Sequence, residues 1–101
     1  MNPLPIDDHL AALYTVGQVA AMLDVQPAFL RRLDAEQVVQ PARSAGGQRR
    51  YSRFEIGQIE RVSQLASEGL TLEGIRRMMA LEAEIADLRR ELEIEKAKRR
   101  R

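Results

Sequence analysis

A chain of 101 residues with a formal net charge of +1 has room for one small domain and an appendage, and its overall charge excludes a non-specific polyanion sponge. It has no cysteine, and its single histidine, His9, has no thiol or fixed carboxylate pair beside it, so neither catalysis, a metal site nor a cofactor is expected. The amino terminus lacks a basic leader region and no apolar run reaches the roughly 18 residues of a membrane span, which predicts a cytoplasmic protein without membrane contact.

Residues 1–13 contain Pro3 and Pro5 and no sustained periodicity, and read as a loose arm that orders near Leu10 to Tyr14, with His9 solvated. Thr15 can cap a short helix from Val16 to Leu23, in which Val16, Val19, Ala20 and Leu23 recur at helical spacing. After Asp24-Val25-Gln26, Pro27 suits a first helical position, and a second helix to about Glu36 has Phe29, Leu30 and Leu33 as its buried candidates. Two short helices separated by a tight turn have the layout of a helix-turn-helix, whose second helix offers its polar side to the DNA major groove.

The stretch Arg43-Ser-Ala-Gly-Gly-Gln-Arg49-Arg50-Tyr51 follows. Gly46 and Gly47 can adopt the positive φ of a tight hairpin, and the arms then carry Arg43, Arg49 and Arg50 on a narrow two-stranded ribbon able to reach a groove or its phosphates. Residues 31–53 hold Arg31, Arg32, Arg43, Arg49, Arg50 and Arg53 against Asp34 and Glu36 alone, a local basic footprint. Every cation before residue 80 is arginine, which favours planar, bidentate contacts to guanine or phosphate.

Ser52-Arg53-Phe54-Glu55 is a capping box that opens a third helix, with Phe54, Ile56, Ile59, Val62, Leu65 and Ala66 at its apolar positions and Gly69 as its left-handed terminator. Thr71 caps a last helix that runs into a charged tail. There Met78, Leu81, Ile85, Leu88 and Leu92 alternate at spacings of 3 and 4, as coiled-coil a and d positions do, and their flanks are nearly all charged. A helix so long outruns a domain of this size and needs a partner, while the basic end from Lys96 to Arg101 reads as a solvated tail.

In this order the elements resemble the MerR family of bacterial transcription regulators over residues 14–95. Tyr14-Thr-Val-Gly-Gln-Val-Ala20 is similar to the family's opening helix, Leu30-Arg31 to its recognition helix, Arg43, Gly47, Arg49 and Tyr51 to its wing, and Gly69-Leu-Thr-Leu-Glu-Gly-Ile75 to the hinge before its dimer helix. The wing most resembles that of the heat-shock repressor branch. Two departures stand out. Arg32 and Leu33 occupy positions where the family usually carries aromatics, and Gln37 stands where a glycine commonly closes the helix. The chain also shows no separate effector domain after the dimer helix and no metal-binding cysteine, so a small-molecule or metal sensor is not expected.

The resemblance implies a mostly α fold: a winged helix-turn-helix domain with a two-stranded wing, followed by a long C-terminal coiled-coil dimerisation helix. Residues 1–13 form the arm, 14–80 the DNA-binding domain, and 81–101 the dimerisation helix with its basic tail. The expected activity is sequence-specific regulation of transcription by a homodimer on an inverted-repeat operator, with double-stranded DNA, a second copy and a further regulatory protein as candidate partners. Arg31 is the first choice for base reading, with Gln26, Ala28 and Arg32 near the same groove. Arg43, Arg49 and Arg50 would hold phosphates, Tyr51 would contact a phosphate or pack under the wing, and Thr15 and Gln48 complete the DNA-contacting set. Met78, Leu81, Ile85, Leu88 and Leu92 form the expected dimer seam. The competing reading is an architectural DNA-binding protein of the excisionase or terminase-small-subunit kind.

Overall fold

A computed structural model describes residues 8–100, so the first seven residues of the arm and Arg101 lie outside the described residues. Helix α1 (Val16–Leu23) and helix α2 (Pro27–Ala35) precede a two-stranded antiparallel hairpin of β1 (Ala42–Arg43) and β2 (Arg49–Arg50), and α3 (Arg53–Ser67) and α4 (Leu72–Arg99) complete the order.

Local chemistry accounts for each start. Thr15 Oγ1 accepts from the Gln18 amide at 3.1 Å while the Thr15 amide donates to Gln18 Oε1 at 2.8 Å, a full capping box that the expected simple cap understated. Ser52 and Glu55 make the second capping box, and Thr71 accepts from the Gly74 amide at the start of α4. Pro27 sits in the first turn of α2, where its missing N–H costs nothing.

The stops are equally local. Helix α3 closes on Gly69 at φ 98°, where the Leu70 amide donates to Leu65 O and the Gly69 amide to Ala66 O. Helix α2 closes the same way without glycine: Gln37 takes φ 60°, its amide donating to Asp34 O and that of Val38 to Leu33 O. The left-handed turn is therefore kept in spite of the side chain.

One core joins the four helices with Val39 and Tyr51, the residues that flank the wing. It contains Val19 and Ala20 of α1, Leu30 and Leu33 of α2, Val39, Tyr51, Ile56, Ile59, Val62 and Leu65 of α3, and Ile75 of α4. Each fully buried aliphatic chain removed from water contributes on the order of 2 kcal/mol before the cost of ordering it. Phe54 corrects the expected core of α3. It lies two residues, about 200° of helical rotation, from buried Ile56, and it is 51% exposed. With Gly57, Gln58 and Arg61 it forms a second face of α3 that borders Met79, Glu82 and Ala83 of α4, and Arg61 bridges to Glu82 at 2.8 Å. The exposed His9 ring meets Phe54 edge-on at 6.3 Å, so this part of the arm is anchored to α3.

Helix α4 is unbroken for 28 residues, about 42 Å at 1.5 Å per residue. Ile75 is buried in the domain, and Met78, expected in the seam, packs against the same core. Every residue from 80 to 100 is exposed in the single chain, including Leu81, Ile85, Leu88 and Leu92. The basic end is helical through Arg99, and its described residues are exposed, as a solvated tail requires.

Candidate nucleic-acid interface

Because α2 ends in a left-handed turn, Val38 and Val39 double back and the buried Pro41 delivers the chain into β1 beside the last turn of α2. The hairpin pairs Ala42 with Arg50 and Arg43 with Arg49. At its tip the Gly47 amide donates to Ser44 O at 2.9 Å, and Gly47 takes φ 82°. Of the two glycines only Gly47 uses the left-handed region, so Gly46 is not the conformational requirement it was expected to be.

The wing, the start of α1 and the recognition helix enclose a cleft of about 400 Å³ lined by Thr15, Val16, Gly17, Arg31, Arg43, Gly47, Gln48, Arg49 and Arg50. Guanidinium groups from α2 and from the hairpin therefore share one surface. Val16 and Gly17 open α1, where backbone amides have no intrahelical acceptor and the helix dipole favours an anion. Four arginines and a helix start around one concavity suit a phosphate backbone.

The arginines are not equivalent. Asp34, on the last turn of α2, accepts at Oδ2 from Arg49 Nε at 2.6 Å and from Arg43 Nη2 at 3.0 Å. Arg43 also donates to Gly47 O at 3.3 Å. Arg32 pairs with Glu36 at 2.5 Å. On α4, Arg76 and Arg77 both hydrogen-bond Glu73 and hold its carboxyl below the usual range. Among the described residues, Arg31, Arg50 and Arg53 make no ion pair, and Arg50 donates only to Gln48 Oε1 and Arg49 O. Free cationic capacity is thus concentrated on Arg31 and Arg50 within the cleft.

Other expected residues divide. Thr15 and Gln48 line the cleft, although the Thr15 hydroxyl is engaged in its cap. Ala28 is exposed on α2, and Gln26 is exposed but borders a separate, mostly apolar cleft with Val25, Phe29 and Ala66. Of the two roles expected for Tyr51, phosphate contact or packing under the wing, its place fits packing: it is fully buried, and burial pushes its phenol above the ordinary range while nearby Arg49 opposes the shift. Sequence reasoning missed Asp34, Val16 and Gly17. Only the basic surroundings of Asp34 hinted at a role, since its partners lie 9 and 15 residues away.

The fold and this cleft define a winged helix-turn-helix protein. A model of the MerR HTH family regulatory protein matches residues 14–82, and the chain belongs to this family of transcription regulators. It is 37% identical over 88 residues to the putative heat shock protein HspR of Streptomyces coelicolor, covering 86% of this chain and 58% of that relative. With the regulator MlrA of Escherichia coli it shares 28% identity over 72 residues, 70% of this chain and 30% of MlrA. The chain therefore spans little more than half of the first relative and less than a third of the second. Among solved structures, a MerR-family regulator from Bacillus cereus superposes with a TM-score of 0.62 at 19% identity, covering 87% of this chain and 70% of that one. HiNmlR, a MerR-family regulator lacking the sensor domain and bound to promoter DNA, does so with 0.60 at 20% identity, covering 84% and 86%. These two likenesses support the fold.

Proposed function

We propose that this regulator binds duplex DNA sequence-specifically as a homodimer on an inverted-repeat operator in the cytoplasm, and that it acts as a heat-shock-type regulator. Residues 14–80 serve as the DNA-binding domain and 81–101 as the dimerisation helix. The observation that carries the reading is the single cleft in which Arg31 of α2 meets Arg43, Arg49 and Arg50 of the wing. Arg31 reads a base edge in the major groove, most favourably the O6 and N7 acceptors of guanine. Arg50 and the first amides of α1 take phosphates, and Arg43 and Arg49 reach the backbone from their shared carboxylate. Two such domains, related by a two-fold axis through paired α4 helices, face two half-sites.

The HspR resemblance and the wing sequence support chaperone-gene promoters as targets. Chromatin immunoprecipitation with sequencing tests this. Enrichment at a few promoters, recovered as an inverted repeat by selection from a random duplex pool, is the expected result. Dispersed binding without a common motif would refute sequence-specific regulation.

A further inference from the structure

Asp34 is hard to explain as a helix residue. It occupies the last turn of α2, where the helix dipole disfavours a carboxylate, and its side chain is only 12% exposed. Its neighbours explain it. Arg43 and Arg49 are direct cross-strand partners, an arrangement in which like charges repel, and Asp34 Oδ2 accepts a hydrogen bond from each. One carboxylate thereby neutralises part of the pair and ties both strands of the wing to the recognition helix. Arg31 lies three residues earlier on the same helix and lines the same cleft as both of these arginines.

We infer that Asp34 is the specificity-determining positioning residue of this interface: it fixes the wing at a set distance from Arg31 and occupies the donors of Arg43 and Arg49 that any phosphate would otherwise take. The inference rests on the DNA-binding reading above. A random duplex must compete with the carboxylate for those guanidinium groups without gaining the base contacts of Arg31. A matched operator gains them, because the wing and Arg31 are already in register. Asp34 thus lowers affinity for all DNA but lowers it most where nothing else compensates.

The test uses the full chain and its isosteric variant Asp34→Asn in fluorescence anisotropy over a salt series. The probes are a random-sequence duplex and a duplex enriched from a random pool by the unmodified protein. For the random duplex, Asp34→Asn should tighten binding severalfold and steepen the log–log salt slope by up to about 0.9 for each arginine released per subunit. For the enriched duplex the gain should be smaller, so that the selectivity ratio falls by about two- to threefold. In DNA-free protein, hydrogen exchange at the Ser44 amide, which bonds Gln48 O across the wing at 2.7 Å, should accelerate while the α3 amides keep their protection. In an Arg43→Gln, Arg49→Gln background, Asp34→Asn should change neither the slope nor the ratio. Equal weakening on both duplexes with an unchanged slope, or an unchanged Ser44 exchange rate, would overturn the inference and leave DNA binding standing. Unmodified protein with no salt-dependent affinity for either duplex would remove the DNA-binding reading and this inference together.

Discussion

Tyr14 and Tyr51 form an antiparallel bridge in which the Tyr51 amide donates to Tyr14 O at 2.7 Å and the Tyr14 amide returns a bond to Tyr51 O at 3.0 Å. The strand leaving the wing is thereby fastened to the residue that precedes the cap of α1, which sets one wall of the cleft against another. The Tyr51 ring is buried beneath this bridge, and its hydroxyl is buried without a hydrogen-bond partner among the described residues. Tyr51→Phe removes an unsatisfied polar atom and should be neutral or stabilising by about 1 kcal/mol, whereas Tyr51→Ala should cost about 3 to 5 kcal/mol in denaturant unfolding. A loss above 1 kcal/mol for Tyr51→Phe would mean that the hydroxyl has a partner in solution.

Burial gives Tyr51 a second, pH-dependent consequence. Its folded pKa is raised above the ordinary value of 10.0, with desolvation as the largest cause. Above about pH 10 the unfolded chain releases this proton while the folded chain retains it, so the unfolded state binds fewer protons and stability falls as pH rises. The contribution is complete below the unfolded pKa and is lost as pH climbs through the folded one. Thermal melts between pH 8 and 11 should show an alkaline decline that Tyr51→Phe flattens. An identical decline in the variant would assign it to other groups.

Arg31 and Arg50 are the cleft's two arginines without a carboxylate partner among the described residues, and they should fail differently. Arg31→Ala should cost about 1 to 3 kcal/mol on the enriched operator and relax selection at one base pair of each half-site. Arg50→Ala should weaken all duplexes alike and reduce the salt slope by about 0.9 per subunit. Anisotropy titrations on operator and random duplex separate the two patterns. The same loss on both duplexes for Arg31→Ala would reassign it to the backbone.

Much of this architecture was written in short-range signals. The capping residues Thr15, Ser52 and Thr71, the proline opening α2 and the glycine closing α3 act within a few residues, so the helices were legible without tertiary information. The alternation of arginines around Gly47 likewise announced the hairpin and its chemistry. The rest depends on which face a residue takes and on what lies across from it, which residue type alone does not reveal. Phe54 reads as a core residue because its type is apolar, but it lies two residues from buried Ile56, on the second face of α3. Tyr51 lies next to the wing arginines in sequence and under them in space. Asp34 registered only as a charge to subtract, since nothing local reveals that the turn at Gln37 brings Arg43 and Arg49 back to it.

That turn is itself a point of strain. Gln37 holds φ 60°, a region in which a side chain costs roughly 1 to 2 kcal/mol. Gly69 holds φ 98° at the equivalent end of α3 with no penalty of this kind. Gln37→Gly should stabilise the protein by about 1 kcal/mol after the added freedom of the unfolded chain is subtracted, and Gly69→Ala should destabilise it by a similar amount. Urea denaturation of both variants checks the pair. If Gln37→Gly lowers stability, the turn in solution is not left-handed.

The C-terminal helix supplies the last prediction. Leu81, Ile85, Leu88 and Leu92 stay between 47% and 59% exposed along a rod of which one end alone, through Ile75 and Met78, is anchored in the domain. Isolated helices are marginal in water, so a stripe of this length would persist by burying itself against another helix, as in the homodimer proposed above. A charge placed on the stripe must either be buried unpaired or prevent association, and the second costs less. Ile85→Glu and Leu88→Glu should therefore convert a dimer to monomer in sedimentation equilibrium. Far-ultraviolet dichroism should fall by about the helical content of residues 81–99, while the melting of the domain core is preserved. Off the stripe, Ala83→Glu adds a comparable charge and should leave the mass of the particle unchanged. A dimer that survives Ile85→Glu, or one that Ala83→Glu dissolves, would move the interface away from the seam and onto the Phe54 face of α3 and α4.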